Sequence, residues 1–185
     1  MKYSKKSKFI FLVIFFVSVC NYAAAADNST TVYCNSDQGA INRRVFGNNL
    51  LGYDSAACAD YGAGIWDPVL RIPVKESKML AKEAGISILR FPGGCGTHHY
   101  DWKNTVEADR DSSLYGLNEF LVTCRKIDAE AVITVSYFTG NENDAVDLVK
   151  YLKPHGVKYF EIGNEVYHGD HKKVKKVLPE EYAAR

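Results

Sequence analysis

The sequence predicts an α/β fold built on a parallel sheet, and three observations carry that reading. From Val45 onward, apolar runs of strand length alternate with stretches of helical periodicity. Glycine and proline punctuate the joints between them. The polar and aromatic residues collect in long loops that follow the strands. Alternating units of this kind imply parallel strands joined by helical crossovers. A doubly wound sheet and a (β/α)8 barrel both satisfy the order. The first strand lacks the glycine-rich phosphate turn of a dinucleotide fold. The long post-strand loops suit a barrel whose active site lies at the strand carboxyl ends.

The first expected strand is Val45 to Tyr53, a short apolar segment broken by Gly47 and Gly52. Residues 54–73, rich in Gly, Ala and Asp, read as a long loop. Val74 to Ala84 reads as a helix stopped by Gly85. Ile86 to Phe91 is the second strand, ended by Pro92-Gly93-Gly94, with a further long loop over 95–115. Gly116 to Ile127 is an amphipathic helix, because Leu117, Phe120, Leu121 and Cys124 share one face. Ala131 to Tyr137 is β-branched and almost continuously apolar, as a strand covered on both faces should be. A second stripe, Ala145, Leu148, Val149 and Leu152, makes Asn143 to Leu152 a helix. Val157 to Ile162 is the fourth strand, and Pro179 with the two acids behind it opens a last helix.

Composition narrows the function classes. With 46% hydrophobic and 24% charged residues, the chain is neither a disordered nor a collagen-like polymer. A net charge of +1 gives no reason to expect nucleic-acid binding. The first 26 residues hold four lysines and no acid; the 159 after them have a net charge of −3. Met1 to Lys8 is basic, Phe9 to Val19 is apolar except for Ser18, and Ala23 to Ala26 follow. That pattern is a secretory signal peptide over 1–26. This 11-residue run is too short to span a hydrocarbon core of about 30 Å. No later segment is apolar enough to cross a membrane, so no stable membrane association is expected after cleavage. Residues 27–44 form a lead-in, and 45–185 form one partial domain. Export permits disulfides among Cys34, Cys58, Cys95 and Cys124, a Cys34–Cys58 bridge included, whereas Cys124 on its apolar helix face reads as a buried thiol.

The sharpest chemical feature is Glu161-Ile162-Gly163-Asn164-Glu165, where a strand runs straight into Gly-Asn-Glu. Glu165 is thereby placed at the carboxyl end of the fourth strand, where barrel enzymes keep catalytic groups. A partly desolvated carboxyl there would stay protonated long enough to donate to a leaving oxygen. Asn164 is the candidate to hold a sugar hydroxyl through a neutral amide, and Glu161 is the competing acid. The tripeptide is cheap in itself, since it recurs at 140–142. The second feature is Arg90-Phe91-Pro92-Gly93-Gly94 followed by Tyr100-Asp101-Trp102. Arg90, near a strand end, is a fixed cation suited to holding a carboxylate ionised, or equally a structural partner of a core acid. Tyr100 and Trp102 offer flat faces and polar edges suited to sugar rings, with ordinary packing as the plainer reading. His168 and His171 have an H-x-x-H spacing in a loop rather than on a helix, and no metal site is expected from them. Asn28-Ser29-Thr30 fits a glycosylation acceptor.

Together these motifs resemble the amino-terminal half of a clan A retaining glycoside hydrolase with a (β/α)8 barrel, in particular α-L-arabinofuranosidases of the family 51 type. The matching stretches are Phe46-Gly47, RFPGG at 90–94, Tyr100 and Trp102, Asn118 to Leu121, Asp144 to Tyr151, VKYFEIGNE at 157–165 and PEEYA at 179–183. The resemblance implies Glu165 as general acid/base, Asn164 as partner of the sugar 2-hydroxyl and Arg90 as support for the nucleophile's carboxylate. It implies double displacement through a glycosyl-enzyme intermediate, acting on an oligo- or polysaccharide, with no cofactor. The sequence departs from the family pattern at three places. Cys95 stands where an asparagine usually follows Pro-Gly-Gly, Leu50 and Leu51 fill the place of a sugar-binding glutamate, and Ser136 to Gly140 replace an asparagine-glycine strand end. These departures leave the barrel and Glu165 intact and leave the glycan open.

A full barrel has eight strands and typically about 250 residues. The four strands expected here make an amino-terminal half, and the sequence reads as part of a longer secreted enzyme whose nucleophile lies on a later strand. Alone, the fragment is expected to be inactive. The alternative reading is an exported, non-catalytic glycan-binding half-barrel or a decayed enzyme.

Overall fold

The computed structural model describes residues 30–37, 39–51, 65–110, 115–168 and 174–185. The expected signal peptide, Asn28, Cys58 and His171 lie outside the described residues. Met1–Ala40 and Ile41–Arg185 are separate compact units. In the first, the described residues are exposed, and Cys34 is a free thiol.

Among its described residues, the second unit holds six strands: β1 (Gly47–Leu51), β2 (Trp66–Asp67), β3 (Ile72–Pro73), β4 (Ile88–Gly93), β5 (Glu130–Val135) and β6 (Tyr159–Ile162). Its α-helices are α1 (Lys75–Glu83), α2 (Leu117–Ile127), α3 (Glu142–Leu152) and α4 (Pro179–Ala184). The main sheet is parallel throughout, in the order β1-β4-β5-β6. Its strands are therefore neighbours in the order they occur along the chain. A doubly wound sheet reverses direction at a switch point; none occurs among these four strands.

The pleat sorts the side chains into two faces. Leu89 and Phe91 of β4 and Ala131 and Ile133 of β5 join Leu117, Phe120, Leu121 and Cys124 of α2 and Leu148 and Leu152 of α3 in one core. Phe91 is fully buried and stacks on Phe120 at 4.8 Å. The opposite face carries Asn49, Arg90, Thr134 and Glu161, linked by hydrogen bonds. The apolar run at 131–137 thus has one helix-covered face and one polar face, because Thr134 serves Glu161 rather than a second apolar layer. Outside the central pair the cover thins. Phe160 and Ile162 of β6 stay exposed. On α1, Leu80 borders a cavity of about 370 Å³ shared with Leu50, Pro73, Ala81, Ile86 and Ile127.

Within the stretch expected to be all loop, β2 and β3 form a small antiparallel hairpin. Asp67 closes it, its Oδ1 accepting from the backbone N–H groups of Val69 and Leu70 at 2.9 Å each. Trp66 anchors it edge-on to Tyr115 at 5.8 Å. The second strand also runs past its expected end at Phe91 through Pro92 to Gly93, level with Leu51 of β1.

Burial pushes the Cys124 thiol up to about 12, in keeping with a packed, inert residue. At the start of α3, Asn141 and Asp144 cap each other: Asn141 Oδ1 accepts from Asp144 N at 3.3 Å, and Asp144 Oδ2 accepts from Asn141 N at 2.9 Å. Asp144 also accepts from Lys103 Nζ at 2.5 Å, which ties the loop after β4 to the start of α3. The Lys103 contact, followed by the Asn141 N–H, holds the Asp144 carboxyl below its usual range. A lowered folded-state value contributes stability above the unfolded value of about 4, lost as pH falls through the folded one. Asp144→Asn should therefore be less stable than wild type at pH near 7, with the gap closing in strong acid. Thermal midpoints of both proteins across that pH range check this; a gap that is constant or widens in acid would contradict it.

Candidate active site

The site is assembled by register. Arg90 on β4 lies level with Asn49 on β1 and Val132 on β5. Val132 is level with Tyr159, and Thr134 with Glu161, so Glu161 stands one pleat nearer the strand carboxyl ends than Arg90. The arginine side chain spans that offset. Its Nε donates to Glu161 Oε1, its Nη2 to Asn164 Oδ1 at 3.0 Å and its Nη1 to Asn49 Oδ1 at 3.4 Å. Thr134 Oγ1 donates to the same Glu161 oxygen at 2.7 Å. The pair is partly shielded, with side-chain exposures of 20% for Arg90 and 38% for Glu161. Glu161 is thus committed to Arg90 and Thr134, which leaves Glu165, whose Oε2 accepts only from the Cys95 thiol at 3.8 Å, as the carboxyl of the cluster with no cationic partner among the described residues.

Gly163 turns the chain out of β6. Its φ is +69°, and its N–H donates to Val135 O at 2.8 Å. A Cβ there would lie 2.8 Å from Val166 Cγ1 and 3.1 Å from the Cβ of Tyr137. Asn164 follows, then Glu165, itself in the left-handed region at φ +44°. A non-glycine residue held there costs of order 1–3 kcal/mol and persists where the surroundings over-determine it. The His168 N–H to Glu165 O bond at 2.9 Å and the Val177 N–H to Val166 O bond at 2.9 Å hold this turn. Cys95 sits beside it: Asn164 Nδ2 donates to its sulfur at 3.6 Å, and the sulfur lies 3.8 Å from Glu165 Oε2. The residue that replaces the usual asparagine therefore touches both Asn164 and Glu165.

The structure brings Arg90, Asn164 and Glu165 together and leaves Tyr100 and Trp102 apart. Tyr100 is buried in the core, edge-on to Phe91 at 5.5 Å, with its hydroxyl 2.9 Å from Thr105 Oγ1. Burial pushes its phenol far above the ordinary tyrosine value. Its ring packs rather than facing solvent. Trp102 is half-buried and lies 5.4 Å from Tyr151, and its buried Nε1 has no partner among the described residues. The expected desolvation of Glu165 is corrected as well, because its side chain is exposed. A cavity of about 320 Å³ beside it is lined by Ile162, Asn164, Glu165, Tyr167, Leu178 and Tyr182, among others. Arg90 and Glu161 do not line that cavity, whereas Asn164 and Glu165 do.

Sequence reading missed Asn49. The available signal was two asparagines, Asn48 and Asn49, inside an otherwise apolar strand. His98, in the segment that follows β4, is buried against Phe138 at 5.1 Å. Among the described residues no group of three or more His, Cys, Asp or Glu side chains is placed to hold a metal ion.

No family model matches the chain. It is 33% identical over 104 residues to an intracellular exo-α-(1→5)-L-arabinofuranosidase of Acetivibrio thermocellus, covering 49% of this chain and 20% of that protein. It is 26% identical over 156 residues to an intracellular exo-α-(1→5)-L-arabinofuranosidase of Streptomyces lividans, covering 71% and 22%. Among solved structures, it superposes on a family 51 α-L-arabinofuranosidase from Bifidobacterium longum with a TM-score of 0.64 at 23% identity, covering 77% of this chain and 34% of that one. The Thermotoga maritima α-L-arabinofuranosidase in its arabinose complex gives 0.60 at 24% identity, covering 76% and 36%. The chain resembles family 51 arabinofuranosidases over about half to three quarters of its length and shares their α/β fold on a parallel sheet. It spans about a fifth of the length of these curated relatives.

Gly163→Ala should destabilise the protein by about 1–3 kcal/mol, from its left-handed conformation and the close approach of Val166. Denaturant unfolding measures this; a cost near zero would mean that the turn after β6 is not built as described.

Proposed function

We propose that this chain supplies the acid/base part of a retaining glycoside hydrolase site of the α-L-arabinofuranosidase type. The observation that carries the reading is Glu165. It stands at the carboxyl end of a parallel strand with no cationic partner among the described residues, beside an asparagine whose carbonyl is fixed by Arg90. The likeness to arabinofuranosidases in sequence and in fold supports it.

In this reading, β1, β4, β5 and β6 are four consecutive strands of a (β/α)8 barrel, in keeping with their sequential order. The polar face of the sheet is then the barrel interior. The protonated Glu165 gives its proton to the glycosidic oxygen as the aglycone leaves. A second carboxylate, outside the described residues, attacks the anomeric carbon and forms the glycosyl-enzyme. Glu165, now ionised, takes a proton from water as water attacks that carbon, and the nucleophile is released. Asn164 donates to a sugar hydroxyl. Glu161 neutralises Arg90 and keeps the guanidinium in place. The basic start and apolar run of the first 26 residues support export of the enzyme. The exposure of Glu165 and the commitment of Glu161 support the second reading, a non-catalytic glycan binder.

Kinetics of Glu165→Gln in the natural gene product separate the two. Glutamine keeps the shape and removes the proton. Hydrolysis of arabinan, whose leaving group needs protonation, should fall by about 10²–10⁴-fold. Cleavage of para-nitrophenyl α-L-arabinofuranoside, whose leaving group needs little help, should fall less. Equal activity of variant and wild type on arabinan would rule out Glu165 as the acid; no turnover by the wild type would favour the glycan binder.

A further inference from the structure

Arg90 does more than neutralise a carboxylate. Its guanidinium has N–H donors and no acceptor. Whatever faces it at Asn49 and at Asn164 must therefore be the carbonyl oxygen of each side-chain amide. The orientation of both amides follows from chemistry rather than from an assignment between similar atoms. Each Nδ2 then points away from the cation as a donor. At Asn164 that donor meets only the weak acceptor sulfur of Cys95, at 3.6 Å. At Asn49, exposed on β1, it has no protein acceptor among the described residues.

The backbone makes room for this arrangement. A Cβ on Gly93 would lie 2.9 Å from the Cβ of Asn49 and 2.9 Å from Leu50 O. Glycine at 93 therefore lets Asn49 sit close against β4, within reach of Arg90. The two amides share one guanidinium and so lie on the same polar face of the sheet. Within the cluster the Arg90 charge is balanced by Glu161. What remains toward a ligand is a pair of neutral donors and the Glu165 carboxyl. Neutral N–H donors match the oxygens of an uncharged polyol, which accept and donate at once.

We propose that Asn49 is a second sugar-binding amide, donating through Nδ2 to a hydroxyl oxygen of a neutral sugar seated beside Asn164. The inference rests on the glycoside hydrolase reading and adds to it a residue on β1 and a preference for uncharged sugars. Asn49→Asp is the diagnostic change. It keeps the shape and the oxygen that faces Arg90, and exchanges the donor for a second oxygen with a negative charge. Asn49→Ala loses both the oxygen and the donor. Affinity for L-arabinose, by titration calorimetry, and KM for para-nitrophenyl α-L-arabinofuranoside would be measured on the natural gene product, with thermal unfolding to show that each variant folds. Both variants should weaken arabinose binding by about 3–10-fold, the size of one hydrogen bond, and raise KM in step. If Asn49→Asp matches wild type, whether or not Asn49→Ala is impaired, Asn49 serves only as a partner of Arg90 and the inference falls. That result leaves the hydrolase reading standing as long as the wild type turns over the arabinoside. A wild type that neither hydrolyses the arabinoside nor binds arabinose overturns both.

Discussion

The ion pair between Arg90 and Glu161 is the constraint around which the polar face is arranged. A guanidinium one-fifth exposed cannot be left without a counter-charge at small cost. Glu161 supplies the charge and Thr134 fills part of its remaining acceptor capacity. Once anchored through Nε, the planar fork has its other two nitrogens aimed in fixed directions, one toward β1 and one toward the turn after β6. A lysine would keep the charge but lose the fork, and with it the simultaneous hold on two amides. One side chain thus converts the strand register into the positions of Asn49, Asn164 and, next in the chain, Glu165.

The loops at this end of the sheet are held by separate contacts. Lys103 reaches from the loop after β4 to Asp144 at the start of α3, and Thr139 donates to His98 O at 2.8 Å. Farther along the first loop, Arg110 pairs with Glu119, whose side chain is 3% exposed and whose other oxygen accepts from Gly116 N at 3.0 Å. That carboxylate caps α2 and anchors the loop at once. Long connections of this kind become a scaffold only when such contacts fix them, and two of the fixing groups, Asp144 and Glu119, are carboxylates at helix starts, where negative charge is favoured.

Much of this architecture was legible in the sequence, for reasons that differ by element. The helix over Leu117–Ile127 was clear because its apolar stripe is strict and its whole stripe is buried. The stripe of α3 was equally strict, yet Val149 remains exposed, since periodicity reports a face and not what covers it. The hairpin at 66–73 is not legible in the sequence, because two-residue strands carry no alternation to read, although Asp67-Pro68 is a turn signal. Glu165 is legible from its place directly after a strand-length run. Its exposure was not foreseen, because solvation depends on walls contributed from elsewhere. Tyr100 illustrates the reverse: an aromatic residue between polar neighbours looked available, but Phe91 and Thr105 claim its ring and hydroxyl. The pairing of Arg90 with Glu161 spans 71 residues. Only the strand register reveals it, and register is what a single sequence states least directly.

The most direct test of this account is a double-mutant cycle between Arg90 and Glu161, read by denaturant unfolding of Arg90→Ala, Glu161→Ala and the double variant. A partly exposed, hydrogen-bonded pair in one network should show a coupling of about 1 kcal/mol, with each single variant more costly than the coupling alone would suggest. A coupling of zero within error would contradict the account, for it would mean that the guanidinium is held by something other than Glu161 and that the polar face is not organised around this pair.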